Sequence, residues 1–463
     1  MIPTTSREKP DGPLVGDAAW LDKPAIVRTD GVWDWKRVHS SAMALAAAID
    51  PREVTFNLCD SRSGFLVTWL AALRSGSLQC LPPSSGRADL VTILNSSARP
   101  CLVADDTSSL HSEWRARART LHWNLGSVSE TTDLRWFPEW DSEVVRLHTS
   151  GSTGKPQVQA KTLRQLALGA EFLAKRLEQE LGDPLSDGST IVCSVPPQHM
   201  FGLEASVMLS LISGIPVLDR RPLLPADVSA AFEACPQDCI WVTTPLHLRS
   251  LVRSGERLRN CRAVVASTMP LAATLAHQVE TLLEAPVYEI YGSTETGAIA
   301  TRRTAESNLW RPLPGVKLDP DSSSTQVWGE HFSSPQRLGD RVAVDNAGLF
   351  ALLGREADMI KIAGRRASLS GLNELLQEVP GLSDGVFYLP STDNPAERLV
   401  LIHSGQPLDR AFIDAWLRER MDAAFLPRAI IRVDRLPRSG AGKIPRASLD
   451  EIYGAWARGR VSS

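Results

Sequence analysis

Between positions 53 and 290, short runs of β-branched and apolar residues alternate with stretches whose apolar positions recur every three or four residues. The run VTFNL at 54–58 precedes an amphipathic stretch at 65–73, and CLVA at 101–104 follows another at 89–94. Leu163, Leu166, Ala170, Leu173, Leu177 and Leu181 share one face at the helical repeat, which predicts a long helix. IVC at 191–193, IWV at 240–242 and AVV at 263–265 read as buried strands. Alternation sustained over this length predicts an α/β fold with layered, largely parallel sheets.

Past Trp310 the pattern changes to short strands separated by turns: TQVWG at 325–329, RVAV at 341–344 and GLFAL at 348–352. These predict a small β-rich subdomain. Beyond 354 lies a compact α+β module with strands VFYL at 386–389, LVLI at 399–402 and IIRV at 430–433, and a helix over 409–421. The expected organisation is a large N-terminal domain, 1–353, and a small C-terminal domain, 354–463. A chain of 463 residues suits two or three domains.

Composition fits a globular protein with a sizeable core, 43% hydrophobic and 22% charged. No apolar run is long enough for a membrane span, and the first residues lack a signal peptide's apolar stretch. Seven cysteines without paired spacing suit reduced thiols and a cytoplasmic location. Cys235 and Cys239 are the closest pair, yet no histidine or second pair accompanies them as a zinc site would require. A net charge of −3 gives no electrostatic case for nucleic acid. From Asp409 onward, 11 Lys and Arg stand against 7 Asp and Glu; this excess suits either a solvated surface or a dock for an acidic or phosphorylated partner. Lysine is scarce, nine against 41 arginines, and three of the nine, Lys155, Lys361 and Lys443, fall in the motifs below.

Two glycine loops, each presenting a lysine, stand nearly 300 residues apart: TSGSTGKP at 149–156 and LPRSGAGKIPR at 436–446. Glycines let backbone N–H groups approach phosphate oxygens, while hydroxyls and an ammonium complete the cradle. The first loop has only two residues between Gly151 and Gly154-Lys155, and Pro156 follows, so it is not a Walker A loop. The same residues also suit a plain turn. YGSTE at 291–295 sets a strand into a glycine turn bearing Thr294 and Glu295, where α/β proteins place ligands. Glu295 could hold Mg²⁺ and Thr294 donate to a phosphate, while a helix N-cap is the plainer reading of Thr294. Asp340 in LGD at 338–340 could accept from a ribose diol. GREADMIKIAGRR at 354–366 could equally be a charged linker.

In order and spacing, these four motifs resemble the adenylate-forming acyl and aryl acid ligases, a superfamily that includes luciferase and the adenylation domains of peptide synthetases. The resemblance spans nearly the whole chain. It implies activation of a carboxylic acid by MgATP to an acyl-adenylate and pyrophosphate, then transfer to a thiol. Thr149, Ser150, Gly151, Ser152, Thr153, Gly154 and Lys155 would hold the β- and γ-phosphates. Tyr291, Gly292 and Ser293 would help bind the nucleotide; Thr294 would meet the α-phosphate and Glu295 the Mg²⁺. Ser267, Thr268 and Met269 would pass the adenine edge, and Asp340 and Arg355 would bind the ribose. Lys443 would stabilise the charge that grows between carboxylate and α-phosphate. The C-terminal domain is mobile in this family, so rotation near Arg355 would withdraw Lys443 and bring the face around Lys361 to a thiol tunnel. The usual hinge Asp or Lys is Ala357 here, which leaves the hinge residue open.

PPQHMFG at 196–202 matches the family's acid-pocket segment, with His199 as a wall or gate beside the carboxylate, or else an ordinary turn histidine. The segment QVQAKTLRQL at 157–166 departs from the common pattern and looks like the AMP-ligases of bacterial aryl polyene and xanthomonadin pigment clusters. That resemblance implies a hydroxybenzoate-type aromatic acid and an acyl carrier protein as acceptor. An aryl- or acyl-CoA ligase, a stand-alone fatty acyl-AMP ligase and a non-catalytic nucleotide-binding homologue are the alternatives. Intact Lys443, Glu295 and Asp340 speak against the last.

Overall fold

The computed structural model describes residues 12–82, 87–126, 134–136, 138–150, 156–185, 188–320, 325–355, 359–362, 365–376, 378–390, 398–438 and 444–461. The α/β reading holds, and the alternation resolves into two large sheets. The six-stranded sheet runs Arg119–His122, Pro100–Ala104, Val54–Asn57, Leu78–Leu81, Glu143–Ser150, Pro156–Thr162, parallel except for the last pair. The nine-stranded sheet has six parallel strands at its centre: Pro24–Arg28, Val217–Leu218, Ser189–Cys193, Asp238–Thr243, Cys261–Ala266 and Val287–Ser293. Gly31–Asp34 adds antiparallel at one edge; Gly297–Arg303 and then Arg311–Pro312 add antiparallel at the other. Pro24–Arg28 and Gly31–Asp34 precede the region where alternation is legible, because each presents only a few apolar residues before a turn.

The helix Leu163–Leu181 lies where the leucine repeat predicts it. Thr162 caps it, accepting from the Gln165 N–H while the Gln165 side chain accepts from the Thr162 N–H. Leu163, Leu166, Leu173 and Leu177 are buried, each contributing about 2 kcal/mol by removal from water. They join a continuous core with Trp35, Trp69, Phe65 and Ile240. Trp241 and Phe232 sit in a second cluster on the opposite face of the nine-stranded sheet. Covering both faces is what lets parallel strands run as unbroken apolar segments.

The β-rich region past Trp310 comprises a three-stranded sheet, Lys317–Pro320, Thr325–Trp328 and Gln336–Leu338, and a hairpin, Asp340–Val344 with Phe350–Arg355. Beyond it, Met359–Ile362 pairs with Arg365–Ser368. Asp384–Tyr388, Val400–Ser404 and Ala429–Val433 form a further sheet, flanked by helices Leu369–Leu376, Arg410–Arg418 and Arg446–Val461. Ile360, Leu372, Phe387, Leu401, Ile413 and Leu417 give this part a core of its own. The Arg253 guanidinium ties it to the larger part, donating to the Ser383 carbonyl at 2.8 Å. Among the described residues no helix is long and apolar enough to cross a membrane.

His39 is fully buried in the core, 2.6 Å from the Pro13 carbonyl through Nε2, while its Nδ1 has no partner among the described residues. Burial pushes the imidazole down to about 4 against that hydrogen bond. An unfolded histidine protonates near 6.5, so between 6.5 and about 4 the unfolded chain holds the extra proton. Stability should therefore fall as pH drops through that window, by about 1.4 kcal/mol per pH unit from this group alone. Urea unfolding of His39→Gln, which keeps a donor for Pro13, should show a pH slope shallower than wild type by up to one proton. Equal slopes would remove His39 as the cause.

Candidate functional site at the carboxyl edge of the nine-stranded sheet

Six parallel strands deliver their carboxyl ends to one edge, where open α/β sheets bind ligands. Val287–Ser293 reaches this edge and turns through Thr294, Glu295 and Thr296 into Gly297–Arg303. No helix follows the turn, so Thr294 is not an N-cap. The Thr296 hydroxyl accepts from the Ser293 N–H at 3.1 Å and donates to the Gly297 carbonyl at 2.8 Å, which closes the turn from within. A Cβ on Gly292 would stand 2.1 Å from the Gly297 carbonyl oxygen, so only glycine permits strands this close. Glu295 is exposed and Thr294 half-buried.

The neighbouring strand Cys261–Ala266 ends in Ser267, Thr268 and Met269. The Ser267 hydroxyl donates to the Ile290 carbonyl at 3.0 Å, locking this segment to the strand beside it. Thr268 adopts φ +84°, a left-handed conformation that a β-branched residue rarely takes. Its hydroxyl oxygen is buried and has no partner among the described residues. Tyr291 donates from its hydroxyl to Asp340 Oδ2 at 2.7 Å, and its ring lies 5.4 Å from Trp310 and 5.9 Å from Phe350. Asp340 is the register partner of Arg355, which brings the two backbones together.

Thr149 and Ser150 end Glu143–Ser150, pairing with Gln157 and Pro156 of the antiparallel return Pro156–Thr162. Gly151, Ser152, Thr153, Gly154 and Lys155 lie outside the described residues, as do Ala357 and Lys443. Lys361 stands on the strand Met359–Ile362, in register with Arg366. His199 heads a continuous helical stretch made of Met200–Gly202, Leu203–Met208 and Leu209–Ser213. Its middle segment is a π-helix, a geometry frequent at functional sites.

Four side chains to which the motifs assign no role also converge here. Gln159 Nε2 reaches Glu295 Oε1 at 3.4 Å, and Lys161 Nζ donates to the Glu295 carbonyl. Glu204 accepts from the Ala298 N–H at 2.8 Å, and His331 Nε2 lies 3.2 Å from the Ala298 carbonyl. Burial pushes Glu204 up to about 7, against the Ala298 hydrogen bond and the Lys161 charge, and pushes His331 down to about 4. One signal in the sequence could have found Glu204: it is the only charged residue from 200 to 217. Lys161 and Gln159 carry no such mark on an alternating strand.

The site therefore offers an exposed carboxylate, a row of hydroxyls and an aromatic-backed aspartate, with the strand that follows residues 151–155 beside them. That donor set fits a nucleotide: hydroxyls for phosphate and base edges, a hard carboxylate for a divalent cation and Asp340 for a diol. Residues 17–323 match the family model described as AMP-binding enzyme. The chain belongs to the AMP-binding enzyme family. Enterobactin synthase component F of Shigella flexneri is 22% identical over 97% of this chain, which in turn spans only 39% of that protein. The 3-hydroxybenzoate–CoA/4-hydroxybenzoate–CoA ligase of Thauera aromatica is 23% identical over 90% of this chain and 84% of its own length. The same fold occurs in the o-succinylbenzoate CoA synthetase of Bacillus subtilis. With that enzyme's acyl-adenylate bound, the TM-score is 0.81 at 17% identity, covering 95% of this chain and 98% of the other. With ATP and a magnesium ion bound, the TM-score is 0.78 at 18% identity, covering 92% and 96%.

The conformation of Thr268 makes its own forecast. A non-glycine residue at such an angle stores about 1–3 kcal/mol, and glycine there gives back about 1 kcal/mol through the unfolded chain. Thr268→Gly should thus leave the thermal midpoint unchanged or raise it by calorimetry, although it deletes a side chain. A drop of several degrees would show that packing by Thr268, and not strain, dominates.

Proposed function

We propose that the chain activates an aromatic carboxylic acid of the hydroxybenzoate type with MgATP and passes the acyl group to the phosphopantetheine thiol of an acyl carrier protein. The observation that carries this reading is the convergence at one sheet edge of the Thr294–Glu295 turn, the Tyr291–Asp340 pair and the strands flanking the glycine loop. In the first step a carboxylate oxygen attacks the α-phosphorus of ATP and pyrophosphate leaves. Residues 149–155 hold the β- and γ-phosphates, Thr294 donates to the α-phosphate, and Asp340 with Arg355 takes the ribose. Ser267, Thr268 and Met269 flank the adenine. Glu295 offers an oxygen to Mg²⁺, which when bound offsets phosphate charge. His199 stands at the acid pocket.

Residues 354–463 act as a mobile domain that presents Lys443 for adenylation and then turns about the region of Arg355. The thiol afterwards attacks the acyl carbon, forming the thioester and releasing AMP. Arg253 bonding Ser383 across the two parts is a contact that such a turn would break. Aromatic acids are favoured by the hydroxybenzoate ligase that matches most of this chain, and a carrier by the enterobactin synthase component and the pigment-cluster character of 157–166. Direct release as an aryl-CoA is the second reading, favoured by the ligase from Thauera aromatica.

ATP–pyrophosphate exchange over a panel of benzoates and fatty acids tests the first step. The strongest exchange should come from a hydroxybenzoate, and Lys443→Ala should cut it about 10²–10³-fold, as loss of an oxyanion donor does. Thioester formation from preformed acyl-adenylate should persist in that variant. Equal loss in both half-reactions would mean Lys443 does not serve adenylation alone.

The acceptor is tested separately. Carrier proteins are acidic around the pantetheine serine, and the last 55 residues carry an excess of four positive charges. Steering should weaken as salt rises, over about 8 Å at physiological ionic strength. A cognate holo-carrier should be acylated with far higher kcat/KM than CoA. Arg418→Glu and Arg420→Glu, both exposed, should lower that rate while sparing pyrophosphate exchange. Comparable use of free CoA would promote the CoA-ligase reading.

A further inference from the structure

Lys161 and Glu204 come from distant elements, yet both end on the turn that carries Glu295. Lys161 lies near the end of Pro156–Thr162, the strand returning from the glycine loop. Glu204 lies on the helical stretch that His199 heads. They are 5% and 3% exposed. Lys161 donates to the Glu295 carbonyl on one side of the turn. On the other, Glu204 accepts from the Ala298 N–H at 2.8 Å, and His331, 2% exposed, holds the Ala298 carbonyl at 3.2 Å. Space for the Glu204 carboxylate is built in, since a Cβ on Gly169 would sit 2.5 Å from Oε1.

We propose that Lys161 and Glu204 form a buried two-point clamp on the 294–297 turn, and that Lys161 is thereby a positioning residue for the Glu295 carboxylate. The proposal rests on the reading of Glu295 as the Mg²⁺-facing residue. A turn on an open sheet edge has few contacts of its own, and this one closes through Ser293, Thr296 and the pairing of its two strands. Fixing the carbonyl of residue 295 fixes the peptide plane from which the Glu295 side chain departs. Gln159, two residues before Lys161 and so on the same strand face, adds a direct if long contact to the carboxylate itself. The clamp thus couples the glycine-loop hairpin, the acid-side helix and the metal-facing turn. A bare buried ion pair would do less: such pairs are commonly replaceable by neutral groups without loss of stability.

Two measurements on the full chain separate positioning from charge balance. The first is amide exchange of 293–299 in the nucleotide-free protein, read by mass spectrometry. The second is equilibrium binding of MgATP against ATP in EDTA. Lys161→Met should speed exchange across 293–299 and weaken MgATP about 10–100-fold, the range typical of groups that orient a metal ligand, while ATP in EDTA changes less than about threefold. The double variant Lys161→Met with Glu204→Gln removes both charges and keeps an acceptor for Ala298. Its thermal midpoint should return toward wild type, but its exchange rate and MgATP affinity should not. Recovery of all three together would reduce the pair to charge balance and overturn the proposal, as would unchanged exchange in Lys161→Met. A wild-type chain that does not bind MgATP would instead overturn the nucleotide reading, and the exchange measurement would still decide the clamp.

Discussion

Six parallel strands ending along one edge are the constraint on which the rest of this structure depends. Parallel pairing forces each connection to return over a face of the sheet, so the helices cover both faces and the carboxyl ends stay open. Three of the segments described at the site, the one leading to His199, 267–269 and Thr294–Glu295, are the stretches of chain that follow three of these strands. The antiparallel return Gly297–Arg303 closes the row by folding the last of them into a turn instead of a helix.

Charge burial is the second constraint, and it is concentrated rather than spread. Glu289 is held under the same edge by Arg302 at 2.7 Å, the Thr304 hydroxyl and the Leu271 N–H. Burial still pushes its carboxyl above the usual range. A carboxylate taken out of water without such partners would cost several kcal/mol. Arg62 shows another solution: fully buried, it donates to the Cys193 and Val195 carbonyls and so steadies the chain that leads to His199. Buried polar groups of this kind hold loop geometry that apolar contacts, being non-directional, leave free.

Much of the fold could be read from periodicity. The leucine repeat at 163–181 became a helix of those bounds, and the strands read at 54, 191, 240 and 263 exist within two residues of their predicted limits. The turn at 294 was legible as a tight glycine turn bearing hydroxyls at the end of an apolar strand, and the structure has that turn. What stayed hidden were the groups acting through space. Gln159 and Lys161 alternate like any half-exposed strand, and their contacts with Glu295 depend on a strand more than 130 residues away.

The sequence by itself determined the elements and the order of the four motifs, because helix and strand periodicity and glycine-loop chemistry are local properties of the chain. It also marked Thr294, Glu295 and Asp340 as candidates, since glycine neighbours in the chain single them out. Only the tertiary structure decided that the strands divide between two sheets, with 24–34 rejoining strands that follow 189. It alone showed the left-handed Thr268, the Tyr291–Asp340 bond and the buried Lys161 and Glu204 on either side of one turn. Register, burial and backbone strain arise from contacts between distant segments, and no local pattern of residues encodes which segments will meet.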